Sequence, residues 1–449
     1  MKTPLLLSFF LLFLPCAATE PLKLATFDVD ATPARGSRLT YDPMRETGEL
    51  TLRCRGIVLT GMEKPVVVCA VDWIGIANTA HDAFCEALAE AAGTVPERVA
   101  VHALHQHDAP MADFAAAEIL RSNGRDTVIF DDLFTREIIG RAAQAVRESL
   151  PKAQTVTRAG YGSADVKEVA SNRRIMGPDG KVKAVRFTAT KDPAIRAEPE
   201  GVIDSAASVI GFWNGEQPLA VLSYYATHPQ SFYRTGIANP DFPGIARFLR
   251  QQQVPVALHV HFTGAGGNIG AGKYNDGNPA NRAVLANRLA DGLARAWQSV
   301  ETFPVTAEDV SWRVELVALP PSQNLKEDEL HAELAAPKSG DILGAASQLA
   351  FLRRCKAGVK TQLSCLGIGP NVRILHMPGE LFVEYQLAAK KLHPDLKIAM
   401  AAYGDYGPGY IGTAVAYQEG GYETQPSSSF VAPPVEEVLM GGIRRLLEK

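Results

Sequence analysis

Apolar and polar residues follow one another along the chain in short blocks that predict both strands and helices. Alternation over residues 50–59 predicts a half-buried strand, and the continuous apolar run at 66–71 predicts a fully buried one. Further strands are predicted at 99–104, 218–225, 256–262, 372–376 and 398–402. Apolar residues at helical spacing predict helices at 81–92, 134–150, 281–299 and 435–448.

These blocks succeed each other without an internal repeat, a low-complexity tract or a flexible linker. We therefore predict an α/β fold, with one large mixed α/β domain over residues 20–449. Two polar segments, at 325–336 and 342–356, are also predicted as helices. They suggest that residues 325–365 form a helical insertion in this domain.

The first residues have the pattern of a secretory signal peptide. A short, weakly positive start is followed by an apolar run at 5–14 and by small residues up to Thr19. The run is too short to span a bilayer, and no later segment has the roughly 18–20 apolar residues of a transmembrane helix. An N-terminal membrane anchor is the alternative interpretation. We predict that residues 1–19 are removed and that the protein is exported to the periplasm or secreted. Pro15 directly before Cys16 argues against lipid attachment at that cysteine.

Composition excludes several classes of protein. The 449 residues include 45 Lys and Arg against 49 Asp and Glu, a formal net charge of −4, and 46% are hydrophobic. These values are ordinary for a globular chain, which excludes fibrous and disordered classes. A mildly acidic balance without basic runs argues against nucleic acid as a partner.

The cysteines do not form a disulfide scaffold. Six are present, and five remain after the predicted signal peptide, which is a sparse and odd number. Cys355 and Cys365 are close enough in sequence to pair in an oxidising compartment, and buried free thiols are the alternative for the others. No CxxC motif is present, which argues against cysteine-based metal or redox chemistry.

Two histidines follow the strand predicted at 99–104. His105 and His107 are two residues apart, and side chains two apart in an extended chain point to the same side. Neutral imidazole is a good zinc ligand, so the pair is a candidate metal site. Purely structural histidines are the alternative interpretation.

Two further candidate ligands also follow predicted strands. His228 comes after the strand at 218–225 and precedes Pro229, which cannot continue a β-ladder. Glu380 lies in a Pro-Gly turn after the strand at 372–376, and a charge favoured at a helix start is the alternative there. Three strand ends that supply His, His and Glu fit a catalytic zinc with an open position for water.

A glycine-rich stretch at 263–274 follows the strand predicted at 256–262. Residues 267–273 match GxxxxGK, but Tyr274 stands where a phosphate loop has the Ser or Thr that holds magnesium. A strand followed by glycines more often marks a place where the backbone closely approaches a ligand or another chain.

Four short motifs occur in an order that resembles one enzyme family: HQHDAP at 105–110, YATH at 225–228, PGE at 378–380 and YGPGYI at 406–411. The chain resembles the neutral/alkaline (non-lysosomal) ceramidases, zinc amidases that cut the N-acyl bond of ceramide. The resemblance runs from about residue 22 to the predicted terminal helix and implies the α/β fold of their catalytic domain. We expect a divergent member that has this domain only, without the C-terminal immunoglobulin-like domain usual in that family.

The resemblance also implies roles for individual residues. The ligands of a Zn²⁺ ion would be His105, His228, Glu380 and Tyr410. The residues serving the zinc-bound water and the substrate oxygen would be His107 and Arg173, and Tyr422 would be a further catalytic residue near the site. The residues close to the substrate would be Asn268, Gly270 and Tyr417. An ordinary surface arginine is the alternative for Arg173, and a packing lid is the alternative for Tyr422.

One departure from the family decides the expected mechanism. The family has a serine in a Gly-Asp-x-Ser-Pro loop, whereas Gly270 stands at that place here. We therefore expect metal-activated water to be the nucleophile. Three hypotheses follow: a ceramidase-like hydrolase of an N-acyl amide bond in a small molecule or lipid, a zinc hydrolase of the same fold acting on a non-ceramide amide, ester or lactone, and a non-catalytic binding relative.

Overall fold

Three large sheets form the framework of the protein. The computed structural model describes residues 21–127, 129–336 and 341–448. In the first sheet the strands lie in the order Val99–Ala103, Val66–Val71, Arg53–Thr60, Lys23–Asp30 and Gln154–Thr155. In the second the order is Leu258–Thr263, Gln217–Tyr225, Ala206–Asn214, Arg158–Asp165 and Glu301–Pro304. In the third the order is Val310–Val317, Thr361–Ile368, Val372–His376 and Lys397–Ala401.

Short strand pairs and helices complete the described fold. The pairs are Glu46–Thr47 with Ile237–Ala238, Gly75–Ala77 with Met111–Asp113, Ser171–Asn172 with Ile269–Gly270, Arg174–Met176 with Val182–Val185, and Glu380–Leu381 with Tyr410–Ile411. The α-helices are Asn78–Ala92, Phe114–Ser122, Asp132–Ser149, Pro193–Ala197, Asp241–Gln253, Asn281–Gln298, Glu327–Ala335, Ile342–Lys356, Val383–Leu392, Ala414–Glu419 and Val435–Leu447. Turns of 3-10 helix occur at Pro96–Arg98, Leu150–Lys152, Ala307–Asp309 and Tyr422–Thr424.

The predicted mixed α/β architecture is confirmed. The apolar runs form the strands Val66–Val71 and Val372–His376, with the bounds that the sequence predicts. The strand predicted at 256–262 begins later, at Leu258, because Ala257 N still donates to the Val254 carbonyl in the preceding turn.

The segment predicted as an insertion, residues 325–365, shares its core with the third sheet. It contains the helices Glu327–Ala335 and Ile342–Lys356 and the first part of the strand Thr361–Ile368. Leu349 and Phe351 are buried in the same apolar cluster as side chains of that sheet. The two helices therefore add to the apolar core of the domain.

Other expectations concern the ends of the chain and its thiols. The signal peptide predicted at residues 1–19 lies outside the described residues. Cys355 and Cys365, which the sequence allows to pair, are free thiols, as are Cys54, Cys69 and Cys85. Within the described ranges, no helix has both the length and the apolar character that a membrane crossing requires.

Each large sheet carries a parallel strand pair at one edge. We call Val99–Ala103, Leu258–Thr263 and Lys397–Ala401 the three edge strands. They run parallel to their neighbours Val66–Val71, Gln217–Tyr225 and Val372–His376, respectively. The carboxyl ends of parallel strands lie at the same side of a sheet, and the crevice beyond them is where ligands bind in open α/β sheets.

Hydrogen bonds join the carboxyl ends of the three edge strands. Ala103 N donates to the Tyr403 carbonyl at 2.8 Å. Ala402 N donates to the Thr263 carbonyl at 2.9 Å, and Thr263 Oγ1 donates to the Leu104 carbonyl at 2.7 Å. The three sheets therefore meet at one place, and the residues that follow their strands share it.

A buried ion pair fixes the chain beside this meeting point. Asp72, which follows Val66–Val71 and is fully buried, accepts two hydrogen bonds of 2.7 Å from the Arg247 guanidinium. Arg247 belongs to the helix Asp241–Gln253, which packs on the second edge strand. The Asp72 carbonyl also accepts from the side chain of Gln106, the residue between the two candidate histidines.

We predict that Arg247→Leu lowers the free energy of unfolding by about 3–5 kcal/mol, because the Asp72 carboxylate would stay buried without its counter-charge. Arg445→Leu is the matched control. Arg445 forms an exposed ion pair with Glu315, and its loss should change stability by less than about 1 kcal/mol. Equilibrium unfolding in urea measures both variants, and similar small losses in the two would contradict the importance of the buried pair.

Candidate metal and active site

His105 is held in an unusual backbone conformation just after the first edge strand. Its φ is +73°, in the left-handed region that residues other than glycine rarely adopt. Its backbone N donates to the Trp73 carbonyl at 2.8 Å, and its Nδ1 donates to the Ile74 carbonyl at 2.5 Å. Because a carbonyl only accepts, the proton lies on Nδ1 and the lone pair of Nε2 is free for a ligand. The Tyr403 ring stacks on the imidazole, with 4.3 Å between centroids.

His107 and His228 lie beside His105. Their Nε2 atoms are 3.0 Å apart, and the ring centroids of His105 and His228 are 4.6 Å apart. One nitrogen from each of the three imidazoles lies within 4.8 Å of the other two. This group could hold a metal ion, because neutral imidazole nitrogens are common ligands of divalent transition metals.

Glu380 and Tyr410 reach the same place from segments that follow strands of the third sheet. They stand opposite each other in the short parallel pair of Glu380–Leu381 and Tyr410–Ile411. Glu380 Oε2 lies 3.2 Å from His105 Nε2 and 3.6 Å from His228 Nδ1. The structure thus brings the four side chains predicted as metal ligands, His105, His228, Glu380 and Tyr410, to one cavity.

The Tyr406 hydroxyl orients the Glu380 carboxylate. It donates to Glu380 Oε1 at 2.6 Å, which leaves Oε2 directed at the histidines. Partners of this kind behind a metal ligand fix its orientation and tune its basicity. Tyr406 lies in the YGPGYI motif, but the sequence did not single it out.

Several atoms in this group are buried and have no hydrogen-bond partner within the described residues: His105 Nε2, His107 Nδ1 and Glu380 Oε2. Buried polar atoms normally have a partner, so a group of such atoms fits a site built for an ion or water. Burial, with the nearby positive charge of Arg173 added to it, holds the pKa of His107 and of His228 well below the usual range. These two imidazoles are therefore neutral, the form that binds metals.

Arg173 is a buried arginine that faces the histidines, so the surface alternative is wrong. Its Nη1 lies 3.4 Å from His228 Nδ1 and 3.3 Å from the Tyr410 hydroxyl. The Tyr410 hydroxyl is in turn 2.9 Å from that of Tyr422, whose ring centroid is 4.8 Å from the Arg173 guanidinium carbon. Burial, and then the charge of Glu380, raises the pKa of Tyr410 well above its usual range, so this phenol keeps its proton.

A carboxylate that the sequence did not indicate balances this arginine. Glu423 is fully buried, with Oε1 at 3.9 Å from Arg173 Nε and Oε2 at 3.5 Å from Arg174 Nη1. Arg174 also pairs with Glu419 at 3.1 Å. The positive charge of Arg173 is therefore partly compensated from behind, away from the cavity.

The glycine-rich stretch forms part of the frame of the cavity. Ile269–Gly270 pairs with Ser171–Asn172, the residues directly before Arg173. A Cβ at Gly267 would lie 2.3 Å from the Glu380 carbonyl oxygen. Glycine is required there because two backbones approach each other closely, as the sequence suggested for this stretch.

Gly270, the residue at the place of the family's serine, does not line the cavity directly. A Cβ there would lie 3.2 Å from Thr188 Oγ1 and 3.5 Å from Arg173 Cγ. A side chain at this position would therefore make a tight contact with Thr188 and a van der Waals contact with Arg173, both of which line the cavity.

Asn268 and Tyr417, the other residues expected near the substrate, also lie outside the cavity lining. Asn268 Nδ2 donates to Glu384 at 2.8 Å, and its Oδ1 accepts from Val383 N at 2.9 Å. The carboxamide therefore serves the start of the helix Val383–Leu392, not the substrate space. The Tyr417 hydroxyl is engaged with Ser429 Oγ at 2.8 Å.

The cavity has a volume of about 450 Å³ and an aromatic wall. The aromatic side chains along this wall are Tyr41, Phe187, Phe232, Tyr233 and Tyr422. Tyr41 stacks on His107, with 5.6 Å between centroids and 13° between ring planes. It stands in no periodic pattern of the sequence, which gave no reason to select it.

A second cavity, of about 410 Å³, is also lined by histidines, including His102 and His376. His102 Nδ1 donates to the Ala402 carbonyl at 2.7 Å, so His102 Nε2 accepts from His376 Nδ1 at 2.9 Å. Burial lowers the pKa of His102 to about 3. This pair is a neutral hydrogen-bonded element of the core, and it belongs to no group of three metal-capable ligands among the described residues.

Comparison with known proteins finds similarity in structure only. No family model matches the chain, and no curated protein matches its sequence. A solved ceramidase complexed with C2 superposes with a TM-score of 0.68 at 15% identity, over 94% of this chain and 74% of that chain. Neutral ceramidase from Pseudomonas aeruginosa gives 0.66 at 15% identity, over 96% of this chain and 76% of that one. The chain therefore has the fold of the neutral ceramidases over most of its length, with a strongly divergent sequence.

Proposed function

We propose that this protein is a zinc-dependent hydrolase that cleaves an N-acyl amide bond, with water as the nucleophile. The observation that supports the proposal is the convergence of His105, His228 and Glu380 at one cavity, with buried ligand atoms that lack partners. Two imidazoles, a carboxylate and the Tyr410 hydroxyl form a nitrogen and oxygen donor set that zinc accepts. A zinc ion held by these residues would lower the pKa of a water molecule toward about 7 and polarise the acyl carbonyl.

His107 is the proposed proton carrier. Its Nε2 faces His228, and its buried Nδ1 has no partner among the described residues, so Nδ1 can accept a proton. The lowered pKa keeps the imidazole neutral, the form in which one ring nitrogen offers a lone pair. In our proposal His107 takes a proton from the attacking water and passes it to the leaving amine.

Arg173, with Tyr410 and Tyr422 beside it, is the proposed stabiliser of the charge that develops on the acyl oxygen. A guanidinium offers planar N–H donors, and donors placed before the reaction starts are effective in a water-poor site. Glu423 holds Arg173 from behind and so keeps it in place when the substrate is absent.

The cavity lining favours a compact substrate over a lipid with two long tails. Among its side chains, the aliphatic contribution comes from Ile74 and Ala189, and tyrosine and other polar residues supply much of the rest. Alkyl tails gain about 25 cal/mol per Å² only where apolar surface covers them. A smaller amide, ester or lactone is therefore the second candidate substrate class, and a panel of long-chain and short-chain acyl substrates separates it from ceramide.

Export is part of the proposal. The sequence of residues 1–19 supports a cleaved signal peptide. We predict that the protein recovered outside the cytoplasm begins close to Glu20, which N-terminal sequencing can test. A chain that begins at Met1 in that fraction would contradict cleavage.

For the metal, we predict that His228→Ala loses bound zinc and that Tyr406→Phe weakens zinc affinity about 10- to 100-fold, because the Glu380 carboxylate loses the hydroxyl that orients it. Tyr417→Phe is the matched control, since that hydroxyl contacts Ser429 outside the cavity. Competition with a chromophoric chelator measures each affinity. Equal affinities for the two tyrosine variants would argue against Glu380 as a ligand.

For the reaction, we predict that His107→Ala keeps its zinc and loses roughly 10²–10⁴ in turnover, the usual effect of removing a positioned acid–base group. His331→Ala, at an exposed histidine of the helix Glu327–Ala335, is the control and should be unchanged. Release of fatty acid from the N-acyl panel is the assay. If the natural protein is inert on every acyl substrate and Gly270→Ser creates activity, the third hypothesis, a binding relative of an enzyme, is the better one.

A further inference from the structure

We propose that a cationic rim at the mouth of the cavity selects substrates with an anionic group, a carboxylate or a phosphate monoester, on the amine side of the scissile bond. The rim consists of Tyr41, Tyr233 and Arg234. This inference rests on the proposed hydrolase function and names a substrate class for it.

Arg234 lies over two rings of the cavity wall. Its guanidinium carbon is 5.2 Å from the Tyr41 ring centroid and 5.9 Å from that of Tyr233. The two rings are 4.9 Å apart and both line the cavity. A guanidinium within about 6 Å of aromatic faces is attracted to them, which holds this flexible side chain beside two residues of the cavity wall.

The charge of Arg234 is available to a ligand. The side chain is exposed, and no carboxylate among residues 21–127, 129–336 and 341–448 forms an ion pair with it. Arg173, deeper in the cavity, differs because Glu423 already balances it. The guanidinium of Arg234 is therefore open to pairing with an anionic group of a substrate.

The backbone of the rim is fixed at some energetic expense. Arg234 has a φ of +63°, in the left-handed region. Its N donates to Asp108 Oδ1 at 3.0 Å, and Thr235 Oγ1 donates to Asp108 Oδ2 at 2.6 Å. Because Asp108 directly follows His107, the residue that places the rim is covalently joined to the proposed proton carrier.

The rim lies on the side of His107, where we place the leaving amine. Tyr41 stacks on the His107 imidazole, and the Tyr233 ring centroid is 5.1 Å from it. An anionic group attached to the leaving amine would therefore be directed toward Arg234. The planar guanidinium can pair with a carboxylate or phosphate through two parallel hydrogen bonds.

Three substrates with one acyl chain test the inference: N-lauroylglycine, the neutral N-lauroylglycinamide, and N-lauroyl-2-aminoethyl phosphate. We expect the natural protein to prefer at least one anionic substrate over the glycinamide by roughly 10-fold in kcat/KM. Arg234→Gln should lower kcat/KM on the preferred anionic substrate to about the glycinamide value, and Arg234→Lys should keep part of the preference. The anionic substrate with the higher kcat/KM shows whether the protein selects a carboxylate or a phosphate monoester.

Arg136→Gln is the matched control, because Arg136 is also exposed and lies 4.0 Å over an aromatic ring, that of Phe114, outside the cavity. It should leave every rate unchanged. Equal turnover of charged and neutral substrates by the natural protein, or an equal loss on both in Arg234→Gln, would overturn the rim.

If no substrate is turned over, the binding of non-hydrolysable sulfonamide analogues decides separately. A preference for the acidic analogue that disappears in Arg234→Gln would support the rim and count against hydrolysis. Equal affinity for the acidic and the neutral analogue would overturn the rim.

Discussion

The hydrogen bonds that tie the carboxyl ends of the three edge strands are the interaction on which the site depends. Each edge strand ends at this junction, at Ala103 in the first sheet, Thr263 in the second and next to Ala402 in the third. Hydrogen bonds from backbone N–H groups and from the Thr263 hydroxyl link the three ends. The chain leaves this junction three times, toward His105, toward the glycine-rich stretch, and toward the segment that carries Tyr406 and Tyr410. The metal-capable group is therefore a property of the junction between the sheets, since each sheet alone supplies only part of it.

Charge burial is the second constraint. The carboxylates of Asp72 and Glu423 are both fully enclosed, and each is matched by guanidinium groups from distant parts of the chain. Such pairs contribute little net stability, but breaking one leaves an uncompensated charge. Here these pairs fix the position of chain segments near the site. Asp72 fixes the turn before His105 and His107, and Glu423 fixes the side chain of Arg173.

Much of the framework could be predicted from the sequence, because buried strands such as Val66–Val71 are continuous apolar runs with sharp ends. The convergence of His105, His228 and Glu380 followed from their places after such strands. Tyr41, Tyr406 and Glu423 could not be found in this way, because they lie in loops or in a short 3-10 turn and contact residues distant in sequence. For Asn268 the sequence predicted the wrong role. The residue lies beside the site, but its carboxamide bonds to the start of the helix Val383–Leu392. The local sequence does not indicate in which direction this side chain points.

The origin of the four candidate ligands in separate sheets also bears on how the protein folds. His105 follows the first sheet, His228 the second, and Glu380 and Tyr410 come from short strands after the third. A partly folded chain that has only one or two sheets in place cannot offer the complete set. An ion that binds the full set would therefore stabilise the finished structure over its intermediates, by an amount set by its affinity and free concentration. The ion proposed for catalysis would thus also make folding more cooperative, and its free concentration would affect the stability of the folded protein.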